Sequence, residues 1–174
     1  MRNRFFGTLL LFASIVAAMS MTLSAQSNDN DPDTPNRVTQ RVDDIFVSAL
    51  KEGRFLLENN VRTSTTVPPP TKATVEIKRM GTKAIPALVQ HSTSENPREQ
   101  ELAVRFLGAI GGEAVVEPLG AVLLKSRYGT SRLLALKVLS EGPWDKIREY
   151  VRRAVNDIEP AVRSEALRIE ATHN

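Results

Sequence analysis

The chain has 174 residues and no cysteine, only two histidines and one tryptophan, and its aromatic residues make up 5%. Without cysteine there is no disulfide framework, no thiolate zinc site, no cysteine nucleophile and no lipidated N-terminal cysteine. Two isolated histidines are too few for a histidine-rich metal site, so no metal and no cofactor is expected. Charge of one sign is scarce as well, because 23 basic residues against 20 acidic ones leave a net charge of +3. What is present is a 41% apolar composition. That is enough for one domain able to bury about 70% of its unfolded surface, and it argues against disorder throughout.

A long uncharged run occurs at the start of the chain. Arg2 and Arg4 precede it, Phe5 to Met19 is largely apolar, and Leu23-Ser24-Ala25 ends on a small residue before Gln26. That order of basic, apolar and small-residue regions is the pattern of a secretory signal peptide. Cleavage after Ala25 is expected, with Ser20 as the second choice, and the product is exported to the periplasm or the extracellular space. The alternative is an uncleaved anchor, since a run of about 20 apolar residues can span a bilayer. Removing residues 1–25 takes away two arginines and no acid, so the net charge falls from +3 to +1. A chain this close to neutral lacks the broad positive field that phosphate binding uses, so nucleic acid is not expected as a partner. No membrane association is expected after cleavage.

Residues 26–36, which include Ser-Asn-Asp-Asn-Asp-Pro-Asp-Thr-Pro-Asn, read as an acidic, disordered spacer. Residues 37–58 place Val38, Val42, Ile45, Phe46, Ala49 and Leu50 three and four apart, the spacing of one amphipathic helix with a break near Gly53. Residues 59–70 hold a Thr/Ser cluster and Pro68-Pro69-Pro70, a linker of polyproline character with no second spaced proline set to make it a ligand motif.

From Thr71 onward the chain repeats itself. Ala103-Val104-Arg105-Phe106, Ala135-Leu136-Lys137-Val138 and Ala166-Leu167-Arg168-Ile169 share the order small, aliphatic, basic, bulky apolar, at steps of 32 and 31 residues. A second series, Ile85 and Leu88, Val116 and Leu119, Ile147 and Tyr150, is interleaved with the first at steps of 31. Two interleaved series predict two helices per repeat. Asn96-Pro97-Arg98-Glu99 has the order of an N-cap, a first-turn proline and an acid, and Gly111-Gly112 ends the same helix. Gly81 and Gly142 occupy matching closing positions, and Thr130 and Asp145 are the expected caps of later helices. Each helix pair has an apolar face too broad to cover alone, so neighbouring pairs must stack.

The segments Gly81 to Leu88, Ala103 to Gly112 and Val115 to Leu119 resemble HEAT-like repeats of the phycobilisome-lyase type, over residues 71–172. Ser140-Glu141-Gly142-Pro143-Trp144 departs from the family's turn. The resemblance implies an all-α fold, a short α-solenoid of stacked antiparallel helix pairs with repeats of about 31 residues. It also implies a binding scaffold, with lyase activity confined to some members of the family.

Catalytic constellations are hard to find. His91, in His91-Ser92-Thr93-Ser94, reads as a solvated loop histidine, and His173 is one residue from the C-terminus. Neither has a partner at metal-ligand spacing, and there is no Gly-x-Ser-x-Gly elbow. Gly108, Gly111 and Gly112 lack the strand and the Gly-Lys-Ser/Thr of a phosphate loop and read as helix closure. No catalytic residue is assigned.

Charge carries the remaining functional hint. Lys125 to Arg153 holds eight basic and three acidic residues, a net +5. Arg148 and Arg152 lie one turn apart, off the apolar stripe of Ile147, Tyr150, Val151 and Ala154, and the family's geometry would turn them to the inner curve. With Glu117 and the junction residue Trp144 they form the expected surface for a protein partner. The expectation is therefore an exported, non-catalytic, protein-binding scaffold, with a homodimer through the terminal helices as one arrangement and the helix at residues 37–58 folded back as an N-terminal cap as the other. The alternatives are a small-ligand-binding or lyase-like enzyme or chaperone with polar groups converging near Glu117, Arg148 or Tyr150, and a membrane-tethered adaptor if residues 5–25 are retained.

Overall fold

In a computed structural model, residues 33–58 and 71–173 are described, with the side chains of 54–58 and of Thr71 set aside. The leader, the spacer up to Pro32 and the linker 59–70 lie outside these residues. The described chain is helical and contains no strand. Its α-helices are α1 (Pro35–Glu58), α2 (Thr71–Met80), α3 (Ile85–His91), α4 (Pro97–Ile110), α5 (Val116–Lys125), α6 (Gly129–Leu139), α7 (Trp144–Ala154) and α8 (Pro160–Ala171). Short 3-10 turns over Gly81–Ala84 and Glu113–Val115 lead into α3 and α5.

Helix ends follow local chemistry where the sequence supplies it. Asn96 caps α4 with its side-chain oxygen 3.1 Å from the Arg98 amide, and Pro97 fills the first helical position, where a missing N–H costs nothing. Gly111 and Gly112 have φ of +68° and +76°, and Gly81 has +57°, left-handed values that glycine adopts without steric cost. Other ends differ from expectation. Tyr128 and Pro143 stand at the cap positions of α6 and α7 and make no side-chain cap bond, so Thr130 and Asp145 fall inside the first turns rather than capping them. Gly142 is not left-handed. Pro143 follows it and sets α7 directly after a tight turn, without the 3-10 lead-in that precedes α3 and α5. Helix α1 begins at Pro35, two residues inside the expected spacer, and continues past Gly53 without a break.

Packing alternates along the chain. Helix α4 lies against α2 and α6, α6 against α8, and α5 against α7, while α5 also packs on α6 and α7 on α8. The buried side chains form one continuous cluster from α1 to α8. The repeated small residues Ala103, Ala135 and Ala166 are all fully buried, as are Phe106, Leu88, Leu119 and Ile147. Two close approaches need a residue without a side chain. A Cβ on Gly108 of α4 would sit 2.9 Å from a Val138 methyl of α6, and one on Gly120 of α5 would sit 2.1 Å from the Tyr150 ring of α7.

Helix α1 folds back onto the helices that follow it. It packs on α2, α3, α4 and the first 3-10 turn, burying Val38, Val42, Ile45, Phe46 and Ala49. The Phe46 ring meets Phe106 of α4 edge-on, with centroids 5.4 Å apart. The N-terminal side of the repeat segment is thereby covered by this chain's own helix.

Candidate functional site

Three sets of polar side chains stand out: a histidine cluster, a ladder along one edge of the helix stack, and the basic ridge of α7.

His91 ends α3, and its side chain is only 16% exposed, so the solvated loop histidine expected from sequence is corrected here. The ring stacks on Phe46 of α1 at 3.7 Å, nearly parallel. Its Nδ1 lies 2.6 Å from Glu99 of α4, and its Nε2 lies 2.9 Å from Asp43 of α1. The second Glu99 oxygen accepts from the Ser94 hydroxyl at 2.8 Å, and the Ser94 oxygen in turn accepts from the Asn96 amide. A carboxylate oxygen thus lies within hydrogen-bond distance of each ring nitrogen. The arrangement ties α1, α3 and α4 together. No group of three His, Asp or Glu side chains able to hold a metal occurs among the described residues.

The ladder runs through the turns that precede α4, α6 and α8. The Gln100 amide donates to the carbonyl of Ser94 at 2.9 Å. Arg132 donates to the carbonyl of Ser126 at 2.9 Å, and Arg163 to that of Asp157 at 2.8 Å. In each case a side chain in the first turn of the helix reaches back six residues. The same side chains also reach forward to the next turn. Ser126 donates its hydroxyl to Gln100 at 2.7 Å, and Arg132 holds the Asp157 carboxylate in a fork of 2.8 and 2.7 Å. Arg132 and Asp157 are about nine-tenths buried, at 9% and 10% side-chain exposure. Burial alone would push the Asp157 carboxyl up, but the Arg132 hydrogen bonds, the Glu159 amide and the nearby guanidinium charges outweigh it and hold it below the usual carboxylate range. The Asp157 hydrogen bond likewise raises Arg132 above its ordinary value.

On α7, Ile147, Val151 and Ala154 are buried, while Arg148 and Arg152 are exposed and make no hydrogen bond or ion pair among the described residues. Tyr150 marks the side of α7 turned to α5, because its ring covers Gly120. Each arginine lies two residues from Tyr150, about 160° around the helix. They therefore turn away from α5. Trp144 starts the same row, one turn before Arg148. It is half-buried and stacks on His173 at 4.3 Å, close to parallel. Glu117 is exposed on α5, on the Gly120 side that faces α7, so Tyr150 and the body of α7 separate it from the two arginines. The structure thus brings Trp144, Arg148 and Arg152 into one row and leaves Glu117 apart.

A groove of about 440 Å3 opens elsewhere, between the end of α3 and the side of α5 that carries Pro118, Ala121 and Lys125. Val89, Pro118, Ala121 and Val122 line it, with Lys125 and Arg127 at its rim. No helix among the described residues is long and apolar enough to cross a membrane. Compared with known proteins, the chain matches no family model, no curated protein and no solved structure.

Proposed function

We propose that this chain is an exported, non-catalytic scaffold, a short α-solenoid of HEAT-like helix pairs that binds another protein. The observation that carries the reading is the six-residue hydrogen bond made three times, at Gln100, Arg132 and Arg163. Those positions are separated by the same 32 and 31 residues as the repeated apolar motif. Recurrence of both packing and polar contacts at one period is the behaviour of stacked units, each touching only its neighbours. Such stacks commonly work by offering a rigid surface, and export rests on the leader residues. The Trp144, Arg148 and Arg152 row supplies exposed, unpaired cations on a rigid helix, suited to carboxylates on a partner.

The test is a crosslinking pull-down from intact cell envelope, comparing the native chain with Arg148→Glu/Arg152→Glu at equal helical content. Selective loss of one protein supports the scaffold and puts its interface on α7. An unchanged set of partners removes the α7 row from the proposal. A second reading, binding of a small ligand, rests on the groove between α3 and α5. It requires that an Ala121→Trp substitution in that groove abolish binding while the α7 substitutions leave it intact.

A further inference from the structure

Among the described residues, the last rung of the ladder makes only half of the contacts that the earlier rungs make. Each of its earlier rungs uses one part of a side chain for the carbonyl six residues back and another part for the turn of the following helix pair. Gln100 receives the Ser126 hydroxyl, and Arg132 receives the Asp157 carboxylate. Arg163 makes the backward contact through Nη1, to the carbonyls of Asp157 and Ile158 at 2.8 and 2.9 Å. Its Nε and Nη2, the atoms by which Arg132 grips Asp157, make no hydrogen bond among the described residues. The backward contacts fix the guanidinium in place, so the free edge is presented already oriented.

The apolar surface beside it has the same incomplete character. Val104, Leu136 and Leu167 occupy corresponding positions at steps of 32 and 31. Val104 and Leu136 are fully buried, but Leu167 is 52% exposed. Leu167 lies one turn beyond Arg163 on the same side of α8, off the buried stripe of Val162, Ala166 and Ile169. Ile158, whose carbonyl Arg163 holds, is 88% exposed at the same edge. The end is not wholly open, because Glu170 stands where Leu107 and Leu139 are buried in the preceding units, which disfavours indiscriminate apolar association.

We infer that the outer face of α8 is a docking surface for a protein partner that places an Asp or Glu carboxylate on Arg163 and an apolar side chain on Leu167, in the manner of a following helix pair. The chemistry is set by the preceding rung, in which a buried aspartate in a helix-to-helix turn is forked by the equivalent arginine. Arg148 and Arg152 lie on α7, which packs against α8, and add charge of the same sign. The inference rests on the stacked-repeat reading above and narrows its partner to an acidic segment seated end-on.

The test places a photo-crosslinking benzophenone side chain at position 158 of the full chain, in the cell that makes it. Crosslinked peptides are identified by mass spectrometry in three backgrounds: native, Arg163→Glu and Leu167→Asp. The expected result is one protein whose crosslinked peptide carries Asp or Glu beside the linkage. Its yield should drop about tenfold or more with either substitution, and return for Arg163→Glu when that acid is changed to Arg. Leu167→Asp leaves the loop contacts of Arg163 in place, so it reads docking even if Arg163→Glu disturbs the turn. A crosslink only to a second copy, only to lipid, to a peptide without an acid, or insensitive to both substitutions overturns the inference. Arg132→Ala is the internal control. If it frees α8 to exchange its amides while the crosslinks ignore Arg163, the repeat reading stands and the docking inference fails. If Arg132→Ala leaves α8 untouched, the repeat reading itself fails.

Discussion

Gly120 and the Arg132–Asp157 pair each make a single contact that decides a larger arrangement. The Tyr150 ring occupies the space a Cβ on Gly120 would need, so Gly120→Ala must displace the ring and separate α5 from α7. A loss of about 1–3 kcal/mol is expected in urea unfolding, and most of it should vanish in the Tyr150→Ser background, where the obstruction is gone. The Arg132–Asp157 fork is nearly buried, and the folded state lowers the Asp157 carboxyl pKa. For an acid shifted in that direction, the stabilisation is complete above the unfolded value of about 3.9 and is lost as pH falls below it through the lower folded value. An acid titration followed by circular dichroism should therefore show Asp157→Asn lowering stability at neutral pH and flattening the dependence below about pH 4. An unchanged acid limb in Asp157→Asn would mean that the fork contributes nothing.

At the scale of elements, α1 is held by more than its apolar stripe. Phe46 stacks on His91, which also joins Asp43 to Glu99 across three helices. His91→Ala removes the stacked ring and leaves two carboxylates without their shared partner. About 2 kcal/mol or more should be lost, with amide exchange rising first in α1 and last in α8. The stripe on α1 was legible from spacing alone, because Val38, Val42, Ile45, Phe46 and Ala49 recur at helical intervals and burial follows that period. Its fold-back onto the following helices was one of two arrangements the sequence allowed, since the residues between α1 and α2 carry no pattern that fixes a direction. His91 was misread for a related reason. Its neighbours Ser92, Thr93 and Ser94 look like solvent-facing turn residues, and its partners lie 48 residues before it and 8 after it.

Across the whole molecule, the interleaved apolar series made an all-helical architecture readable, while the polar ladder went unread although it obeys the same steps. Gln100, Arg132 and Arg163 fall 32 and 31 residues apart, as do Ser94, Ser126 and Asp157. The residue types differ between repeats, so a comparison by chemical likeness passes over them, and only shared hydrogen-bond geometry makes them equivalent. The direction of Arg148 and Arg152 was likewise out of reach, because it depends on which neighbour Tyr150 covers. Stacked units coupled to their neighbours through the core and the ladder, as proposed above, should lose stability locally, and native-state hydrogen exchange on Asp157→Ala is the measurement that shows it. Protection should fall most in Pro160–Ala171, less in α6, and little in α4 and the helices before it. A uniform loss across all helices, or no loss in α8, would contradict the proposal.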